Sequence, residues 1–66
     1  MINKVHMLRK QHKITQEALA NMVGVTRQTI ISIENGKYQA SLLLALKIAR
    51  VFEMPVEEVF IVEESD

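Results

Sequence analysis

A chain of 66 residues without cysteine is one small domain, with neither a disulfide nor a thiolate zinc site to brace it. Its stability must come from well-packed helices or from a second copy. Zero formal net charge hides a segregation: residues 1–50 hold eight Lys and Arg against two acids, giving +6, while residues 51–66 hold six acids and no base, giving −6. That asymmetry favours a polyanion-facing body with an acidic edge turned away, or simply a solvated acidic tail.

No apolar run approaches the roughly 18 residues of a membrane helix, and MINKVHMLRK is too broken for a signal peptide. The expected setting is the cytoplasm, without membrane association.

Asn3 is placed to cap a first helix, with Met1–Ile2 as an alternative extended piece before it. Val5, Leu8 and Met7 supply its apolar stripe among Lys4, Arg9, Lys10 and Lys13. The helix should fade near His12–Lys13, and Ile14 then enters the core. Thr15 is the next N-cap candidate, and Glu17 suits the first turn of a helix. Ala18, Leu19, Met22 and Val23 repeat at the spacing of a buried face, and Ala18 and Ala20 are small enough for a close crossing. Gly24 ends this helix and Val25 seals the turn. Thr26 caps a third helix whose inward stripe is Ile30 and Ile33, and Asn35–Gly36 stops it.

Residues 15–36 thus read as helix, tight turn, helix. After a polar loop, Ser41 caps a fourth helix, Leu42 to Phe52, with Leu42, Ala45, Leu46, Ala49 and Phe52 inward and Lys47 and Arg50 outward. Glu53-Met54-Pro55 breaks it. Val56–Val59 is one more helical turn, and Val59–Glu63 is expected as a short strand.

The third helix carries Arg27, Gln28, Ile31 and Ser32 away from its buried stripe. A helix entering the DNA major groove needs short polar side chains that reach base edges and an N-terminus near phosphates. Gln28 and Ser32 are four apart, hence on one line, and Gln can pair bidentately with adenine. Arg27 in the first turn opposes the helix dipole, a conflict that an approaching phosphate would resolve and bulk water would merely screen. Gln16 could touch a phosphate or clamp Gln28. Asn35, Lys37 and Tyr38 follow the helix where the DNA backbone should run.

These segments resemble a known family. T-Q-E-x-L-A, V-G-V-T-R-Q-T-I, I-E-N-G-K-Y and A-L-K-I-A-R are similar to the Cro/phage-repressor (Xre-like) helix-turn-helix domains, and most of all to small stand-alone members of the cytolysin-operon repressor type. The resemblance implies an all-α, five-helix, lambda-repressor-like fold with a short C-terminal β-strand. It implies base reading by Gln16, Gln28 and Ser32, mixed base and phosphate contact by Arg27, and backbone contact by Thr26, Thr29, Asn35, Lys37 and Tyr38. Ile31, beside that face, could meet a thymine methyl. Arg9 and Glu34 match a family ion pair, and Glu34 near a helix C-terminus needs a cation on physical grounds as well.

Four positions depart from the family pattern. Ala40 replaces a common Pro, Glu53 stands where Gly or Asn is usual, and Leu43 and Ile31 are apolar at positions that usually face water.

Residues 55–66 are the expected dimerisation segment. A lone strand leaves unpaired backbone groups. It therefore pairs either across a two-fold axis or with Met1–Ile2 of its own chain, the apolar faces then associating. Val56, Val59, Phe60, Ile61 and Val62 are the expected interface.

His6 and His12 lack metal-pair spacing, the glycines form no phosphate loop, and no nucleophile has a base nearby. No metal, cofactor, small-molecule ligand or enzymatic activity is expected. The leading reading is a homodimeric transcriptional repressor that binds a near-palindromic operator in double-stranded DNA, nucleoid-associated in a prokaryote or phage. An antitoxin-like protein-interaction module is the alternative.

Overall fold

In the computed structural model, which describes residues 1–66, a two-residue strand β1 (Ile2–Asn3) is followed by five helices and a second short strand. The helices are α1 (Val5–Gln11), α2 (Gln16–Val23), α3 (Arg27–Glu34), α4 (Leu42–Val51) and α5 (Val56–Val59), and β2 is Phe60–Ile61. This is the expected five-helix fold.

Three helices start as their sequences dictate. The hydroxyls of Thr15, Thr26 and Ser41 accept hydrogen bonds from the backbone N–H groups of Ala18, Thr29 and Leu44 at 3.0, 3.2 and 3.2 Å, satisfying donors that the first turn leaves free. α1 begins differently. Asn3 lies in β1 and Lys4 takes the cap position without a side-chain bond. The Asn3 side-chain Oδ1 still accepts from Val5 N–H at 3.3 Å, and its side-chain Nδ2 donates to the Ile33 carbonyl at 2.9 Å, tying the chain start to the end of α3.

Four helices end on one device. Lys13, Gly24, Gly36 and Glu53 all have positive φ, at 57°, 78°, 75° and 55°. In each case the next residue donates its N–H back into the last turn: Ile14 to Arg9, Val25 to Ala20, Lys37 to Ser32 and Met54 to Ala49. This is the left-handed termination that normally favours glycine. Glu53 adopts it as expected from its departure from the family pattern; Lys13 does so without a sequence warning.

The core is contributed by every helix: Val5 and Leu8, Leu19 and Val23, Ile30 and Ile33, Leu44, Ile48 and Phe52, and Val59. The helix–turn–helix pair α2–α3 packs closely through it, and Ala20 is buried where the elements meet. β1 and β2 pair antiparallel, Ile2 opposite Ile61 and Asn3 opposite Phe60, so the tail strand finds its partner within its own chain.

Several inward assignments shift. Leu42 and Leu46 were expected inside but are exposed; the buried stripe of α4 is Leu44, Ala45, Ile48 and Ala49, continuing to Phe52. A run of three leucines admits either register, and packing against α2 and α5 selects the one that brings Ile48 to the centre. Met22 and Met7 are exposed too, with Ala20 rather than Met22 on the buried face of α2. Val59 closes α5 instead of opening the strand and is fully buried. No helix is long and apolar enough to cross a membrane.

Candidate nucleic-acid interface

α3 is held by two fully buried side chains, Ile30 and Ile33, and shows its other faces to solvent. With that anchor, helical spacing alone decides which residues face outward. Arg27 and Gln28 are exposed, while Thr29, Ile31 and Ser32 are half-buried. Gln28 and Ser32 meet one turn apart, the Gln28 amide donating to the Ser32 hydroxyl at 3.4 Å. Thr26 and Thr29 hydroxyls lie 3.0 Å apart at the N-terminus, where the first-turn backbone N–H dipoles and Arg27 make a local excess of positive charge. No acid occupies the first turn.

Past α3, the backbone N–H groups of Lys37 and Tyr38 fold back onto the Ser32 carbonyl at 2.9 and 3.3 Å. Asn35, Lys37 and Tyr38 are exposed beside the helix end. The structure thus gathers Thr26, Arg27, Gln28, Thr29, Ile31, Ser32, Asn35, Lys37 and Tyr38 on and around one helix.

Gln16 stands apart from this row. It is half-buried, and its amide donates to Glu34 Oε1 at 3.2 Å rather than to Gln28. Glu34 is the centre of a larger cluster. Its Oε2 accepts from Arg9 Nε at 2.8 Å and its Oε1 accepts from Arg9 Nη2 at 3.2 Å, a two-point carboxylate–guanidinium contact. Both side chains are nearly sealed, with 7% and 5% of their surface exposed. Arg9 Nη1 donates to the Ile14 carbonyl at 3.0 Å, and His6 Nδ1 lies 3.2 Å from both Glu34 Oε1 and Arg9 Nη2. Burial pushes the Glu34 carboxyl up, but hydrogen bonds from Arg9, Gln16 and His6 outweigh it and hold the group below its ordinary value of 4.5. The Glu34 hydrogen bond likewise raises Arg9. No buried side-chain polar atom lacks a partner.

His6 and Lys10 were not read from the sequence as part of this region. They line a wholly polar depression with Arg9, Thr15, Gln16, Glu17 and Arg27. The signal was available, because His6, Arg9 and Lys10 fall at the 3,4 spacing of one helix face. Among charged side chains in this depression, only Glu17 is acidic and outside the Glu34 cluster.

A second groove is apolar, lined by Ile33, Tyr38, Leu42, Ala45, Val56, Phe60 and Val62 together with Met1 and Asn3. Of the expected interface residues, Val62 is exposed and Val56, Phe60 and Ile61 are half-buried, so all four retain accessible surface. Val59 does not: at 0% exposure it is spent on the chain's own core and cannot touch a partner. Leu42, expected inside, joins this groove instead.

The helix-turn-helix family model matches residues 5–59. The chain is 52% identical to an HTH-type transcriptional regulator of Methanocaldococcus jannaschii and 53% identical to one of Bacillus subtilis, each alignment running over 66 residues and covering both chains fully. Among solved structures it is similar to the restriction-modification controller protein C.AhdI from Aeromonas hydrophila, with a TM-score of 0.80, 30% identity and 86% of each chain covered.

Proposed function

Since the chain belongs to the helix-turn-helix family of transcriptional regulators, we propose that it is a sequence-specific DNA-binding repressor acting as a homodimer on a near-palindromic operator in the cytoplasm. The observation that carries this reading is the outward row of α3. Two buried isoleucines anchor the helix and leave Arg27 and Gln28 exposed, with Ser32 half-buried beside them, on the face that would meet base edges. In this reading Gln28 and Ser32 read bases, Arg27 bridges base and phosphate, and Ile31 contacts a thymine methyl. Gln16 reads at the margin. Thr26, Thr29, Asn35, Lys37 and Tyr38 position the phosphate backbone.

Dimerisation rests on the apolar groove with Leu42, Val56, Phe60 and Val62 at its surface. A two-fold axis there would set the two copies of α3 about 34 Å apart, one turn of DNA. Repression follows from occupancy, because a bound dimer excludes polymerase from the same DNA.

Selection from random duplex DNA followed by binding at graded salt tests this. The expected result is a two-fold-symmetric motif whose log K falls steeply with log salt. Absence of any enriched motif, with weak salt dependence, would favour an antitoxin-like interaction module instead.

A further inference from the structure

Glu34 does more than neutralise Arg9. One of its oxygens, Oε1, collects Arg9 Nη2, His6 Nδ1 and the Gln16 amide, each at 3.2 Å. A carboxylate offers no proton, so it can only accept. The Gln16 atom that faces it must therefore be the nitrogen. An exposed glutamine amide is free to turn over and exchange the places of its oxygen and nitrogen at little cost. Gln16 is not free to do so, because the reversed amide would set its carbonyl oxygen against a buried anion.

We propose that Glu34 is a positioning residue for DNA recognition: it fixes the orientation of the Gln16 amide at the N-terminus of α2, and so the order of acceptor and donor that Gln16 presents to a base pair. With one N–H on Glu34, the carbonyl oxygen and the second N–H remain for DNA. An acceptor and a donor in fixed order suit adenine, whose major-groove edge pairs an N6 donor with an N7 acceptor. The reversed amide would meet that edge donor to donor and acceptor to acceptor. The inference rests on the DNA-reading assignment and adds to it a determinant that never touches DNA. It also links recognition to the fold, since α1, α2 and the end of α3 meet at this one carboxylate.

The test is a double-mutant cycle read on an operator panel that varies one base pair at a time. Glu34→Gln keeps size but lets residue 34 donate or accept, so the Gln16 amide can take either orientation. The expected result is a roughly tenfold loss of discrimination at one base pair per half-site, with smaller changes elsewhere. In a Gln16→Ala background the same change at residue 34 should have no further effect at that position. A uniform loss of affinity on all sequences, equal in both backgrounds, would mean that Glu34 is only structural and would overturn the proposal.

Side-chain amide relaxation by NMR on the unaltered protein supplies a readout that needs no variant. The Gln16 amide should be ordered where those of exposed Gln11 and Gln39 are mobile; equal mobility would also overturn the proposal. If the unaltered protein shows no base discrimination at all, the DNA-reading assignment falls, whereas intact discrimination insensitive to residue 34 removes the positioning role alone.

Discussion

At the scale of single residues, the sealed Arg9–Glu34 contact has the largest expected energetic effect. Removing one partner strands the other charge in a desolvated site, so Glu34→Ala should cost about 3–5 kcal/mol in urea unfolding. Replacing both with Met and Leu should recover most of that loss, because the desolvation penalty goes as well. The pH dependence follows from direction. Glu34 titrates below its ordinary 4.5 in the folded chain, so its contribution is complete above that value and is lost as pH falls through the folded-state value. The urea midpoint should therefore drop on acidification from about pH 7 to about pH 3, and drop less in Glu34→Gln. On the DNA side, Gln28→Ala should relax preference at one position by about 1–3 kcal/mol. Lys37→Ala should instead weaken all sequences alike and lower the salt slope by about one, both read by mobility-shift titration.

At the scale of elements, the helix ends are informative. Gly24 and Gly36 use the left-handed conformation at no steric cost, while Lys13 and Glu53 adopt it against their Cβ atoms. Glu53→Gly should raise stability by about 1 kcal/mol, and Gly24→Ala should lower it by a similar amount, although a Cβ at position 24 would meet nothing within 4 Å. Thermal melts separate the two cases: a loss at Gly24 in open space isolates backbone strain from crowding. The N-termini follow a simpler rule. Each hydroxyl–backbone bond closes within three residues, so Thr15, Thr26 and Ser41 could be assigned from local sequence alone. Lys13 could not: the helix end and the entry of Ile14 into the core are legible, but a lysine carries no local signal for the left-handed conformation it adopts.

At the scale of the whole molecule, the acidic tail is folded back rather than free. β2 pairs with β1, and the Met1 ammonium lies 2.8 Å from an Asp66 carboxylate oxygen. The apolar groove beside the tail keeps accessible side-chain surface, Leu42 and Val62 both being 74% exposed. If the proposed dimer uses that surface, Leu42→Asp or Val62→Asp should shift the sedimentation equilibrium toward monomer while leaving the helical circular dichroism unchanged. Operator affinity should fall together with the dimer fraction. A monomer–dimer equilibrium untouched by both changes would move the interface elsewhere.

Local chemistry in the sequence determined the helix starts, the glycine stops, the helix–turn–helix segment and the outward row of α3. Each depends on contacts within one turn or on the 3.6-residue period, which a linear pattern carries. Tertiary structure alone decided the rest. It chose the register of α4 among three consecutive leucines, sending Leu42 to the surface, and drew Val59 inward and away from any interface. It also added His6 and Gln16, from two helices, to the Arg9–Glu34 pair that the family resemblance had implied. Those outcomes depend on which faces meet in three dimensions, and residues 6, 16 and 34 have no local spacing that announces a shared carboxylate.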